Sequence, residues 1–433
     1  MQRRGISHKD NKSDMNPKNI LLFAGSLAFA VACNRPPTIK TAGKSAGKSV
    51  VAEEISLLLK TKTLLADTAV RVFAEAQVLG GYQAMTPERF ANEFIFNYAI
   101  LPEYNSRDVL QRKNVKLSAA DVRQSEPDVF LFSFDVAKLQ IPAALLLLEI
   151  NHIASGKKAL QDVPLRFAPN RLSDTYAVFD RAGRFPAVRN FASAQDTLQF
   201  MSLGKQSRTL TVTRYDQDFE PAPSPMGTAP KNVPRTLQTD SMFTVRTNTA
   251  FTLKQPGLYF FQEDTAQNTG VSLRITDKRY PRYTRPADLV KPLIYISTKN
   301  ELKELQTTTA PKKTLDNYWL RLASNSETRA RRSIRAYYGR VMAANRLFTS
   351  YKEGWKTDMG MVYMVLGQPN QVSRLRDKEV WTYTQNANFS EINFTFLRRA
   401  NAFTDDYYEL VRYVEYEPIW YPVVEEWRKG VVE

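Results

Sequence analysis

The sequence predicts a multidomain fold: an N-terminal antiparallel β-sandwich of the immunoglobulin-like type, a helical connector and a small C-terminal α+β domain. Apolar residues alternate with period two in short runs over residues 64–215, and helical spacing replaces this alternation within residues 278–350. In residues 351–433, a helical stretch is followed by short strand-like runs. A chain of 433 residues is long enough for roughly three domains.

Residues 1–32 have the layout of a secretory signal and are not expected to join the fold. A short apolar run at residues 20–31 follows Lys18. This run is too short for a helix that spans a bilayer, which needs about 20 residues. Because a long polar stretch precedes the run, Met15 makes a more ordinary start for such a signal than Met1.

Cys33 is the only cysteine of the chain, so no disulfide is expected within it. Its position after small residues at the end of the apolar run predicts that Cys33 is lipidated. Asn34 follows it without any acidic cluster. This context resembles the sorting signal of outer-membrane lipoproteins, which implies a lipid anchor on the periplasmic face of the outer membrane rather than exposure on the cell surface.

The chain is strongly basic, with a formal charge of +16. Residues 1–32 contribute five basic and two acidic groups, so +13 remains after their removal. A charge of this size would suit nucleic acid as a partner. Export to the envelope makes anionic lipid, lipopolysaccharide or cell-wall polymer the more natural counter-charge, and we expect no nucleic-acid partner.

The first part of the exported chain is interpreted as a tether followed by the sandwich. Residues 33–63, which open with Pro, Gly, Ser and Lys, are assigned to the lipidated cysteine and a flexible tether. The sandwich is assigned to residues 64–215 because its apolar runs are short and separated by turn-forming residues. The run at residues 143–150 fits a doubly buried strand or a short helix, and its close bounds favour the strand.

A proline-rich segment separates the sandwich from further strands. Residues 216–235 contain five prolines and are interpreted as a linker. Alternation resumes in residues 236–277, which form either a second β unit or the last strands of the first sandwich.

Residues 278–350 are interpreted as a basic helical connector, since they carry 16 Lys and Arg against five Asp and Glu. Ser326 is placed to cap a helix whose apolar stripe is interrupted at Asn345. The basic residues form either a solvated helix face or an anion-binding surface. The candidate anion-binding residues are Arg279, Arg282, Arg285, Arg331 and Arg335.

The most specific passage of the chain is Gly354-Trp355-Lys356-Thr357-Asp358. Gly360, Gly367, Pro369 and Trp381 follow it. These residues resemble the signature of the GWxTD-domain family of bacterial envelope lipoproteins. The resemblance extends from the helix near Tyr337 to Trp427-Arg428-x-Gly430, and it implies an envelope protein without an established biochemical activity. A shorter stretch, the helix with its Gly-x-Pro end and the Trp381 strand, is similar to the small lipoprotein of the outer-membrane β-barrel assembly machinery.

Two structures compete for the residues after the motif. Alternation would suit a strand buried on both faces. Thr357 or Asp358 as N-cap, Gly367 after the last turn and Pro369 beyond it favour a helix. A Trp355 and Asp358 pair could grip a sugar, but anchoring and capping explain the same residue types, so the motif is interpreted as structural.

No catalytic, metal or cofactor site is predicted. His152 is the only histidine after the signal segment, and neither a nucleophile elbow nor a phosphate-binding or dinucleotide motif is present. A pair of carboxylates in the C-terminal tail could serve a glycan hydrolase, pack among aromatic residues or dock against the basic helix. The tail carboxylates are Asp405, Asp406, Glu409, Glu415, Glu417, Glu425 and Glu426.

The expected function is therefore that of a non-enzymatic interaction or assembly module of the cell envelope, anchored in the outer membrane and bound to an envelope protein. One alternative is a binder of anionic cell-wall polymer or lipopolysaccharide. Another is a carboxylate-dependent glycan hydrolase.

Overall fold

The structure, a computed structural model, describes residues 55–80, 84–180, 182–204, 207–227, 237–384 and 391–431. The signal segment, Cys33 and the tether up to residue 54 lie outside these residues. No helix in the described ranges combines the length and apolar composition that a membrane span requires. Three domains follow one another along the described chain, and the predicted multidomain, β-rich fold with a C-terminal α+β region is confirmed.

The first domain is a sandwich of two antiparallel four-stranded sheets. One sheet, in the order β1-β2-β6-β5, contains β1 (Ser56–Leu65), β2 (Ala69–Leu79), β6 (Val129–Ala137) and β5 (Arg123–Glu126). The other, in the order β4-β3-β7-β8, contains β4 (Gln111–Val115), β3 (Phe94–Leu101), β7 (Ala143–His152) and β8 (Lys158–Arg166). A short helix, α1 (Pro87–Glu93), precedes β3.

Aromatic residues fill the space between these sheets. Phe90 of α1 stacks on Phe130 of β6 at 4.7 Å, and Phe96 of β3 meets Phe132 of β6 at 5.2 Å, both measured between ring centroids. The ambiguous run at residues 143–150 forms strand β7, so the strand interpretation is confirmed.

The strand β1 corrects the predicted boundary of the tether. Residues 56–63, assigned to the tether from sequence, pair with β2 along their whole length. Lys60 and Lys62 interrupt the apolar pattern here, and backbone pairing rather than burial defines the strand.

A second sandwich follows. Its five-stranded sheet, in the order β10-β16-β15-β12-β13, contains β10 (Phe191–Ser193), β16 (Val271–Thr276), β15 (Gly257–Gln262), β12 (Thr209–Tyr215) and β13 (Thr239–Arg246). Its three-stranded sheet, in the order β14-β11-β9, contains β14 (Ala250–Thr252), β11 (Thr197–Ser202) and β9 (Tyr176–Asp180), with the single-turn helix α2 (Leu172–Thr175) before β9. Phe200 and Phe261 stack at 5.1 Å between the two sheets.

Two sandwiches therefore replace the single one predicted for residues 64–215. The strands of residues 236–277 pair with β10, β11 and β12, so they complete the second sandwich and not the first. Alternation identifies strands but does not say which strands pair, because pairing partners are far apart in sequence.

The third domain combines six helices with a sheet. The helices are α3 (Pro286–Val290), α4 (Lys299–Thr307), α5 (Pro311–Leu322), α6 (Glu327–Phe348), α7 (Asp358–Leu366) and α8 (Glu417–Arg428). The antiparallel sheet, in sequential order, contains β17 (Gln371–Arg374), β18 (Lys378–Tyr383), β19 (Ile392–Arg398) and β20 (Tyr408–Leu410).

One core unites all these elements, which corrects the idea of a separate connector at residues 278–350. Tyr337 of α6, Trp355 of the motif and Trp427 of α8 are fully buried in it. Ala222, from the predicted linker 216–235, is buried in the same core, and its N–H donates to the Lys356 carbonyl at 2.9 Å. Residues 228–235 of that linker lie outside the described residues.

Candidate functional site

Helix α6 supports the motif. The Ser326 hydroxyl accepts from the Arg329 N–H at 3.5 Å, as the capping pattern predicts. Asn345 is fully buried, where its amide donates to the Pro281 carbonyl at 3.1 Å and its oxygen accepts from the Trp355 N–H at 3.2 Å. The polar interruption of the apolar stripe is therefore the contact that fixes the motif turn.

The two motif glycines permit close backbone approach. A Cβ on Gly354 would lie 2.0 Å from the Ala344 oxygen of α6, and a Cβ on Gly360 would lie 1.8 Å from the Gly354 oxygen. Trp355 is buried between these segments, and its indole N–H donates to the Tyr283 hydroxyl at 2.9 Å. Glycine is required at both positions because the neighbouring backbone leaves no room for a Cβ atom.

The residues after the motif form helix α7, so the helical interpretation is confirmed. Thr357 is the N-cap, since its hydroxyl accepts from the Gly360 N–H at 3.0 Å. Gly367 ends the helix at φ +86°. Pro369 lies just beyond it, and Trp381 of β18 packs on Phe348 of α6 at 5.6 Å.

Asp358 has a role that the sequence did not reveal. Its carboxylate pairs with the Arg412 guanidinium and accepts from the Leu410 N–H at 2.9 Å, across more than fifty residues of chain. Burial raises the pKa of Asp358, an effect that Arg412 opposes. The Asp358 carboxylate therefore links α7 to the end of β20, and its contacts are with protein groups of this chain.

Lys356, the variable position of the motif, is also internal. Its ammonium pairs with Asp218 and lies 3.2 Å from Glu353, whose carboxylate binds Arg274 of β16 at 2.6 Å. These ionic contacts join the motif to the second sandwich. No sequence signal marked them, because the partners lie far apart in the chain.

The five candidate anion-binding arginines do not converge. Arg279, Arg282 and Arg285 lie in the segment whose Pro281 contacts Asn345. Arg331 lies 14 residues before Asn345, which is roughly 21 Å along the helix. Arg335 lies one turn closer to Asn345. The tyrosines interleaved with the first group face inward: Tyr280 bonds to Thr349, and Tyr283 accepts from Trp355.

The acidic tail does not dock on the basic face of α6 within the described residues. Four of its carboxylates bind arginines elsewhere, an arrangement that favours a packing role over a catalytic pair. The pairs are Asp405 with Arg171, Asp406 with Arg398, Glu409 with Arg399, and Glu425 with Arg428.

His152 is the last residue of strand β7. Its Nδ1 lies 2.8 Å from the Ser155 hydroxyl in the adjoining turn, and its ring packs on Phe94 at 5.0 Å. In the ranges that the structure describes, no group of three His, Cys, Asp or Glu side chains is placed to hold a metal ion.

A cavity of about 760 Å³ lies beside the motif helix. Strands β1 and β8 of the first sandwich form one side, and the C-terminal sheet forms the other. Met359 and Tyr363 of α7 and Trp381 of β18 also line it. The motif therefore supports one wall of a polar interdomain cavity that the sequence did not predict.

The chain has no match among curated proteins. Among solved structures, dimeric latent PorU from Porphyromonas gingivalis is similar over 55% of this chain and 22% of that chain, with 13% identity and a TM-score of 0.25. The chain thus spans less than a quarter of the length of PorU.

The GWxTD domain family model matches residues 257–429. The match begins at strand β15, so it includes β15 and β16 of the second sandwich and the helices α3–α6, as well as most of the 351–433 segment expected from sequence. From α3 onward, the match agrees with the single core that these helices share with the sheet. Residues 257–429 of the chain therefore contain a GWxTD domain, as the motif predicts.

Proposed function

We propose that the protein is a non-enzymatic interaction module of the cell envelope, lipid-anchored through Cys33 on the periplasmic face of the outer membrane. We further propose that it binds an envelope protein through the outer face of its C-terminal tail. The anchor is supported by the sequence around Cys33. The binding surface is supported by the exposure of Tyr413, Val414 and Tyr421, which we call the C-terminal aromatic surface.

These three side chains are 49%, 63% and 52% exposed, respectively. Val414 lies in a 3₁₀ turn that runs directly into α8, so Val414 and Tyr421 are two helical turns apart on one side of the segment. The opposite side of α8 is buried through Trp420, Val423 and Trp427.

The surface has the composition of a protein-binding site. Exposed tyrosines supply large contact areas at low entropic cost and are enriched in binding hot spots. Three carboxylates of the same segment, Glu415, Glu417 and Glu426, face solvent without an ion-pair partner among the described residues. A complementary partner would present an apolar pocket surrounded by basic side chains.

Co-purification from detergent extracts of the envelope tests this proposal. We expect the wild-type chain to recover one stable partner, and Val414→Lys with Tyr421→Lys to lose it. Ile153→Lys is the matched control, because Ile153 is similarly exposed but lies on the first sandwich. A partner that stays bound to the Val414 and Tyr421 variant, or a chain recovered without any partner, contradicts the proposed surface.

The anchor has a separate test. Radiolabelled palmitate should label the wild-type protein and not Cys33→Ser, which we expect to leave the membrane fraction. Labelling of the Cys33→Ser variant would contradict lipidation at this position.

A second candidate function, binding of anionic cell-wall polymer or lipopolysaccharide, is favoured by the first turns of α6. Arg329, Arg331 and Arg335 are exposed there, and the guanidinium groups of Arg329 and Arg335 have no carboxylate partner in the described chain. Salt-sensitive binding to purified cell wall that is lost in Arg331→Gln with Arg335→Gln would support it. If the Arg279→Gln with Arg282→Gln variant loses cell-wall binding to the same extent, the segment that contains Arg279 and Arg282 takes part in binding. If both double variants bind as the wild type does, neither group of arginines is the site.

A further inference from the structure

The charged residues that line the interdomain cavity are almost all paired. Each of its arginines binds a carboxylate, and Lys158 at its edge binds Glu149 at 3.5 Å. The pairs are Arg166 with Asp174 at 2.7 Å, Arg374 with Glu379 at 3.4 Å, Arg398 with Asp406 at 3.3 Å, and Asp405 with Arg171, which lies outside the lining.

Lys60, Lys62 and Asp162 are the charged lining residues that form no ion pair within the described chain. Burial raises the pKa of Asp162 above its ordinary value. The two lysines are therefore the cationic lining groups that form no ion pair among the described residues.

Lys60 and Lys62 point to one side of β1, since residues two positions apart in a strand share a face. Glu75 is directly opposite Lys60 in β2, but it is bonded to Arg189 instead. The Lys62 ammonium donates to the Ala187 carbonyl at 3.3 Å. Burial lowers the pKa of both lysines, that of Lys62 to about 8. Asp406 acts in the opposite direction on both, and Glu75 does so on Lys60.

The two lysines are half-buried, so an ammonium without a carboxylate partner is partly desolvated there, and a bound anion would offset that cost. The remaining walls offer hydrogen-bonding groups and aromatic rings, among them Asp162, Tyr104 and Tyr408. Such walls suit a hydroxyl-rich molecule, and the volume of about 760 Å³ is within the usual range of small-molecule sites.

We propose that this cavity is a binding site for a hydroxyl-rich anion of the sugar-acid or sugar-phosphate class, with its acidic group held between Lys60 and Lys62. This site is separate from the C-terminal aromatic surface, and it adds a small-molecule ligand to a protein otherwise proposed to bind protein.

Calorimetric titration of the purified full-length chain tests the site. The probes are glucuronic acid, glucose 6-phosphate and uncharged glucose. We expect at least one of the two acids to bind, and glucose to bind at least tenfold more weakly. Binding of glucuronic acid alone identifies a carboxylate site, binding of glucose 6-phosphate alone identifies a phosphate site, and both results support the proposal.

Substitution assigns the binding to the two lysines. Lys60→Met with Lys62→Met should weaken binding of the acid at least tenfold. Lys113→Met is the matched control, since Lys113 is an exposed strand lysine of β4, and it should bind as the wild type does.

Chemical labelling provides a readout on the unaltered chain, in case the double variant does not fold. Acetylation at pH 8 followed by peptide mass spectrometry should show Lys60 and Lys62 protected at least threefold by the bound acid, with Lys113 unprotected. The proposal is overturned if neither acid binds, if glucose binds equally well, or if Lys60 and Lys62 react at the same rate with and without the acid.

Discussion

At the scale of the residue, the motif glycines act by leaving space for backbone. A side chain at position 354 or 360 would overlap a carbonyl oxygen, and no rotamer change relieves an overlap with Cβ. The motif thus fixes the distance between α6, the turn at Gly354 and α7.

We therefore expect Gly354→Ala and Gly360→Ala each to lower the free energy of unfolding by about 3 kcal/mol, the upper end of the cost of overpacking. Gly339→Ala is the matched control, because nothing lies within 4 Å of a Cβ at this exposed position of α6. Alanine should stabilise the helix there by up to about 1 kcal/mol. Urea denaturation measures all three, and similar stabilities for Gly354→Ala and Gly339→Ala would contradict close packing at the motif.

At the scale of the element, helix α4 shows how a local signal and a distant contact combine. Thr298 and Glu301 form a capping box, in which the Glu301 carboxylate accepts from the Thr298 N–H at 2.8 Å. The same carboxylate binds Arg428 of α8 at 2.9 and 3.1 Å. The Glu301 side chain therefore both caps the N-terminus of α4 and links α8 to this helix.

These contacts make stability depend on pH. Burial alone would raise the pKa of Glu301, but Arg428 and Thr298 outweigh it and lower the pKa from 4.5 to about 2. A carboxyl with a lowered folded-state pKa stabilises the fold fully above its unfolded pKa. That contribution is lost as the pH falls from about 4.5 towards 2.

Glu301→Gln should therefore reduce stability at pH 7 by roughly 1.5 to 3 kcal/mol, as for other hydrogen bonds to charged groups. It should also remove part of the stability loss between pH 4.5 and 2. Glu304→Gln, which removes an exposed pair with Arg321, should cost at most about 1 kcal/mol. Thermal unfolding across this pH range measures both variants, and parallel pH profiles for wild type and Glu301→Gln would refute the linkage.

At the scale of the whole molecule, sequence patterns predicted elements better than their assembly. Thr357, Gly367 and Pro369 predicted α7, because capping and termination depend on neighbouring residues. The split into two sandwiches, the Asp358–Arg412 pair and the polar cavity depend on contacts between distant segments. Such contacts leave no local period. Asn345 interrupts the apolar stripe of its helix, and only its partners at Pro281 and Trp355 explain a polar residue there.

The domains are joined by a largely buried ionic junction. Arg189, between β9 and β10, binds Glu75 of β2 and lies 3.6 Å from Glu126 of β5. Arg346 of α6 binds the same Glu126. The two carboxylates of the first sandwich therefore hold both the second sandwich and the GWxTD domain.

Glu75→Gln removes the direct partner of the buried Arg189 and leaves only the half-exposed Glu126 carboxylate, 3.6 Å away. Glu75→Gln should cost about 3 to 5 kcal/mol and increase amide hydrogen exchange in β2 and β10, where the sandwiches meet. Asp135→Asn is the matched control on the same sheet, because its pair with Arg71 is solvent-exposed and should contribute no more than about 1 kcal/mol.

A double variant separates the cost of an unpaired charge from the strength of the junction itself. Glu75→Leu with Arg189→Met removes both charges, so it should recover much of the stability that Glu75→Gln loses, since an apolar pair often replaces a buried ion pair at little cost. If the double variant is as unstable as Glu75→Gln, the loss does not come from the unpaired arginine. If Glu75→Gln and Asp135→Asn cost the same, the domains are held together by their apolar contacts, at Phe73 and Phe179 for example, and the ionic junction only sets their orientation.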